Sequence, residues 1–219
     1  MTDFTLWDLA RNLLLATRWT LLLSLMAFVG GGVGGLALLV ARISDRTLAK
    51  RGVEVFVEIF QGTPLLMQLF LFFFGLPLLG LDASPWLSAA VCLTLYASAF
   101  LTEIWRGCVE AIPRGQWDAA ASFGMGYVLQ LRRVILPQAM RTAIPPTVGF
   151  LVQLVKSTAL ASIVGYHELT RTAQILTNAT FQPFLIFGMV AGIYFAICFP
   201  LTYIARRLEV RLQRAPSSA

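Results

Sequence analysis

Asp118-Ala119-Ala120-Ala121-Ser122-Phe123-Gly124, followed after nine residues by Val134-Ile135-Leu136-Pro137, is a short polar interruption in a chain that is otherwise strongly apolar. Pro113 and Gly115 end the helix before it, Asp118 stands near a helix N-terminus that favours an anion, and Gly124-Met125-Gly126 supplies turn glycines. A second helix is expected to run to Leu136 and stop before Pro137. Its apolar stripe is Tyr127, Leu131 and Ile135, with Arg132 and Arg133 beside it. Two short amphipathic helices on a tight turn form a knob suited to docking.

Outside this knob the chain belongs in a bilayer. It has 219 residues, 58% apolar and 13% charged, against roughly half apolar and a quarter charged in soluble domains. Uncharged runs cover 19–41, 59–81, 83–102 and 172–205, and about 20 apolar residues cross a hydrocarbon core as a helix. A fifth span is expected at 142–166, broken only by Lys156 and opened by Pro145-Pro146. The expected fold is all-α: one membrane domain over 1–219, with spans at about 19–41, 55–81, 83–106, 142–166 and 183–206. The connection at about 107–141 is too short for a core of its own. Gly30-Gly31-Gly32-Val33-Gly34-Gly35 in span one permits close helix approach, or a bend.

Lys and Arg set the orientation. The segments after spans one and three and the C-terminal tail hold Arg42, Arg46, Lys50, Arg51; Arg106, Arg114, Arg132, Arg133, Arg141; and Arg206, Arg207, Arg211, Arg214, which is 13 of the 17 basic residues. The other side has Arg11 and Arg18, nothing basic around Asp82, and Arg171. The N-terminus is therefore expected outside and the C-terminus in the cytoplasm. This bias accounts for the net charge of +6 without nucleic acid. With acids at Asp3 and Asp8 and no small-x-small cleavage site, the first apolar run is read as retained. Cys92, Cys108 and Cys198 have no metal-like spacing, and His167 has no second ligand nearby. No phosphate-binding loop, nucleophile elbow or His-Glu-x-x-His is present, so no catalytic residue or metal site is assigned.

The knob resembles the permease subunits of ATP-binding-cassette importers of type I, in the polar amino-acid branch that includes histidine, glutamine, arginine and opine carriers. That family's cytoplasmic signature is Glu-Ala-Ala, three residues, Gly, nine residues, Ile-x-Leu-Pro. Asp118, Ala119, Ala120, Gly124, Val134, Leu136 and Pro137 fill those places, with Asp for Glu and Val for Ile. Ile112 to Trp117, Phe60 to Leu65 and Asn178 to Phe184 extend the match. The resemblance implies a coupling loop built on Asp118, Ala119, Ala120, Gly124, Leu136 and Pro137. It also implies two cytoplasmic ATPase subunits that carry the ATP and Mg, a periplasmic amino-acid-binding protein, and a second permease subunit, identical or sister. It implies no cofactor on this chain and a bacterial inner membrane. The family has Arg where this chain has Gln61.

Polar residues within spans are the suspects for the cargo path, because burying a charge there costs at least about 2.5–3.5 kcal/mol. Lys156 lies about 21 Å along span four, beside Gln153, Ser157 and Thr158, and Gln68 of span two lies at comparable depth. These residues read as substrate contacts or as gate and inter-subunit hydrogen-bonding positions. Glu103 reads as an ion pair with Arg106 on one helix face, or as a group facing the path; Glu58 is equally open. Gly62, Thr63 and Pro64 are an expected helix irregularity whose freed backbone groups face a cavity. The expected activity is import of a polar amino acid by alternating access. The alternatives are an ion-coupled carrier and a membrane scaffold without transport.

Overall fold

A computed structural model describes residues 5–43, 47–81 and 84–214. Asp3, Arg46 and Asp82, used in the charge reading, lie outside the described residues. Among the described residues every regular element is helical.

The first helix, α1 (Leu6–Ile43), is 38 residues long, or about 57 Å, and so exceeds a hydrocarbon core of about 30 Å. It begins well before the expected span at 19–41. It packs along α4 (Pro85–Glu110), the central helix of the bundle. The glycine run is the contact between them: a Cβ at Gly31 would collide with Ala97, one at Gly34 with Ser98, and one at Gly35 would stand 3.2 Å from Leu101 Cβ. The helix runs through the glycines unbroken, so close packing is their use here. The Thr102 hydroxyl donates to Ser98 O at 2.7 Å and lies 3.2 Å from Gly35 O across the contact. Leu23, Ala27, Leu93, Ala97, Phe150 and Leu154 fill the core around it.

Span two is not a straight crossing. α2 (Thr47–Gly62) and α3 (Leu65–Leu78) meet at 106°. Pro64 lacks an N–H, so the carbonyl of Phe60 loses its helical donor. The Gln68 side chain replaces it: Nε2 is 2.9 Å from Phe60 O, 3.1 Å from Thr63 O and 2.8 Å from Thr63 Oγ1. Four helices are long and apolar enough to cross a membrane, and the bent pair as one span makes five.

After α4 come α5 (Arg114–Ser122), the turn at Phe123-Gly126, and α6 (Tyr127–Gln130). Here the structure corrects the sequence reading twice. The helix does not stop before Pro137: α6 continues through a π turn (Leu131–Ile135) into α7 (Leu136–Ser157). Pro137 stands in the first turn of α7, directly after the wide turn, where a missing N–H and a bulky ring are tolerated. Nor do Pro145-Pro146 open a helix, for both lie inside α7. An interior proline costs about 3 kcal/mol, and the packing of α7 between α4 and α9 (Pro183–Arg214) outweighs that local preference. A 3₁₀ stretch (Thr158–Ser162) ends the continuous helix, and α8 (Leu169–Thr180) connects it to α9. Ser162 is thus the end of a helical run that begins at Tyr127, not at 142.

Candidate functional site

The functional suspects fall in four places. The knob is first. α5 ends in a two-bond helix stop: Gly124 N–H donates to Ala121 O at 2.9 Å and Met125 N–H to Ala120 O at 3.3 Å. This geometry requires Gly124 at φ +73°, and a Cβ there would meet nothing within 4 Å. Glycine is needed for its backbone conformation, not for space. Trp117 stacks on Tyr127 with ring centroids 5.8 Å apart. Ile112, Ile135 and Ala139 form a small core beneath the turn. The knob is therefore anchored by packing on the end of α4. Asp118 and Ala119 face outward with Phe123, whereas Ala120 is buried against its own chain. Leu136 is half-buried and Pro137 exposed.

The second place is one face of α7. Thr142, Pro146, Gly149, Gln153 and Lys156 recur at alternating steps of four and three and are all exposed. At their inner end Thr142, Pro146 and Gly149 line a groove of about 700 Å³ shared with Thr202 and Arg206 of α9. Gln153 Nε2 donates to the Tyr96 hydroxyl at 3.3 Å, next to the stacked rings of Phe100 and Phe150. Lys156 is exposed on the same face. Lipid is a costly neighbour for an ammonium and an amide at this depth, so the face suits water or a protein partner. Ser157 is half-buried, and Thr158 is buried with its hydroxyl on Val155 O at 2.8 Å.

The remaining suspects lie elsewhere. Gln68 is buried at the 106° break, with its amide nitrogen engaged there. Glu103 is held at the opposite end of α4 from Ser84, its carboxylate 2.9 Å from Arg42 and 2.7 Å from Arg106. Arg42 also lies 3.7 Å from Glu54, and Arg106 pairs with Glu110. These five charges tie α1, α2 and α4 together. Glu58, Gln61, Gly62, Thr63 and Pro64 are exposed.

The sequence reading passed over Glu168, which is fully buried. Its carboxylate accepts from Arg171 N–H at 2.9 Å, Thr20 Oγ1 at 3.2 Å and Tyr194 Oη at 3.3 Å, joining α1, α8 and α9. Burial pushes its pKa up from the ordinary carboxylate value, and these donors pull it back. The signal available was positional: Glu168 immediately precedes the run that becomes α8 and serves as its N-cap.

Residues 14–214 match the family described as "binding-protein-dependent transport system inner membrane component". The chain belongs to that family. This permease is 36% identical to the L-cystine transport system permease protein TcyB of Bacillus subtilis, over 90% of its own length and 84% of the relative's. It is 34% identical to the probable amino-acid ABC transporter permease protein YckA of the same organism, over 82% and 80%. With the glutamine transport system permease protein GlnP of Escherichia coli it shares 32% over 95% and 96%. A crystal structure of an amino acid ABC transporter with histidines superposes on the permease with a TM-score of 0.88 at 29% identity, covering 92% of this chain and 94% of that one. The inward-facing MetNI methionine ABC transporter gives 0.68 at 22% identity over 98% and 100%, a likeness of fold. The all-α membrane architecture read from the sequence is thus the architecture of ABC importer permeases. The permease is a multi-pass membrane protein, and its family implies a binding protein and an ATPase as partners.

Proposed function

We propose that this permease is the membrane path for a polar amino acid, with ATP hydrolysed on Mg by two partner ATPase subunits in the cytoplasm and no cofactor on its own chain. The single observation that supports this most is the continuity of Tyr127–Ser162. One helix starts beside the docking turn at Gly124 and carries the polar face that ends at Lys156. Motion delivered to Asp118 and Ala119 reaches the path through one continuous helical run, as a motor outside the membrane requires. The relatives named for cystine, glutamine and amino-acid transport set the cargo class.

In this reading cargo arrives from a periplasmic binding protein and meets Gln153, Lys156 and Ser157, while Thr158, Gln68 and the break at Gly62-Thr63-Pro64 shape the walls. Glu103 belongs to the tie between helices and acts on the path indirectly. A second permease subunit, identical or sister, closes the open side of α7. The bacterial inner membrane holds the complex with the N-terminus periplasmic and the C-terminus cytoplasmic, as the basic residues direct.

The test is reconstitution with the ATPase and the binding protein in vesicles, followed by ATP-dependent uptake of a panel of labelled amino acids. Saturable uptake of one polar class supports the reading. A stable, hydrolysing complex that moves none of them removes the cargo assignment and leaves the docking element standing.

A further inference from the structure

Between the inner ends of α1, α2 and α4 and the start of α5 lies a second cavity, of about 550 Å³. Its polar wall holds Arg42, Lys50, Arg106 and Arg114 against only Glu54 and Glu110. The carboxylates are already engaged, because Arg42 and Arg106 hold Glu54, Glu103 and Glu110 between them. Lys50 and Arg114, both exposed, also line the cavity and have no carboxylate partner among the described residues. Leu39, Val109 and Ile112 supply the apolar part of the lining. Such a socket combines surplus positive charge with an apolar surface.

The helix that supplies Lys50 indicates where the anion comes from. α2 buries Val53 and Val57 against the bundle and leaves Leu48, Val55 and Ile59 at 89%, 54% and 55% exposure on its other side, with Lys50 and Arg51 exposed near its N-terminus. As the first half of the bent span, α2 starts at the level of the headgroups, where basic residues beside exposed apolar ones anchor a helix end. A free anion would use the cations and waste the apolar lining; a phospholipid uses both. We propose that this socket holds the phosphate of an anionic phospholipid, gripped by Lys50 and Arg114, with its glycerol and upper acyl carbons on Leu39, Val109 and Ile112. The bound lipid would sit against Trp117 and Tyr127, the stacked pair that supports the docking turn.

The complete transporter, in nanodiscs of phosphatidylethanolamine with a minor share of phosphatidylglycerol, is released into a native mass spectrometer and its retained lipids are counted. Wild type should keep phosphatidylglycerol in preference to phosphatidylethanolamine, and Lys50→Gln or Arg114→Gln should weaken that retention about fivefold each, the worth of one cation at a membrane surface. Lys50→Arg should retain the lipid, as should Arg51→Gln, which alters a neighbouring cation outside the socket. Equal retention by wild type and Lys50→Gln overturns the proposal, and so does equal loss in Arg51→Gln, which would mean general surface attraction. Displacement of the lipid by millimolar inorganic phosphate makes the site one for free anions and overturns it too. If Arg114→Gln sheds the ATPase while retaining the lipid, the socket serves an acidic side chain of the motor instead. Absence of any phosphatidylglycerol preference in the wild type sinks the idea without recourse to a variant.

Discussion

Gln68 Nε2 stands 2.9 Å from the carbonyl oxygen of Phe60, the acceptor that Pro64 orphans four residues on. A span bent through 106° inside a membrane has no water to satisfy the backbone it frees. One amide side chain does so for Phe60 and Thr63 together. Gln68→Leu should therefore lower the stability of the complex by about 1–3 kcal/mol, the cost of leaving a buried polar group unpaired. The check is thermal unfolding in detergent. An unchanged melting temperature with altered cargo preference would place Gln68 in the path instead.

At Gly124 the open space around the missing side chain separates two explanations of the same glycine. Because φ is +73° and a Cβ would clash with nothing, Gly124→Asn or Gly124→Asp should be mild. Gly124→Val should cost about 1–2 kcal/mol locally, since left-handed backbone disfavours Cβ-bearing residues. ATPase co-purification and substrate-stimulated hydrolysis should fall in the order wild type, Asn, Val. Equal binding by all three would detach the turn from docking.

Lys156→Ala and Gln153→Ala should leave ATPase binding intact and change uptake, because both lie on the exposed face of α7 at a distance from the knob. Transport kinetics over the amino-acid panel measure this. Unaltered rate and preference in both variants would move the cargo site to another face.

Glu103→Gln should act differently from the path variants. It withdraws a charge that Arg42 and Arg106 share, so the melting temperature and hydrolysis coupling should fall while the ranking of cargoes stays fixed. A reordered ranking would show that Glu103 meets the cargo.

Glu168 gives the permease a pH dependence of known sign. Its carboxyl is raised in the fold, so the folded protein holds the proton more tightly than the unfolded chain does. Its contribution is complete below the ordinary carboxylate pKa and is lost as pH rises through the raised value. Melting temperature against pH should carry that downward slope in wild type, and Glu168→Gln should flatten it. An identical slope in both proteins would assign it to another group.

The parts of this molecule that the sequence disclosed are those encoded by local chemistry. The apolar runs, the spacing from Asp118 to Pro137 and the Pro64 interruption all act over a few residues. What stayed hidden depended on partners distant in the chain. Pro145 and Pro146 look like helix openers until α4 and α9 are packed around them. Glu168 looks like a loop acid until Thr20, 148 positions earlier, and Tyr194, 26 later, converge on it. Gln68 looked like a residue for cargo because nothing in the order of residues says that its amide turns back to Phe60.

Trp105 Nε1 donates to Thr147 Oγ1 at 3.0 Å, part-way along the helix from Tyr127 to Ser162. Thr147 is about 30 Å along the axis from Tyr127 and about 14 Å from Lys156. With a fulcrum there, the two arms have a ratio of roughly two to one. If the helix turned about that point as one body, it would reverse direction across it, and an inward stroke beside Gly124 would become an outward one, about half as large, at Lys156. Mechanical advantage of this kind would let a single stroke close one mouth of the protein while it opens the other.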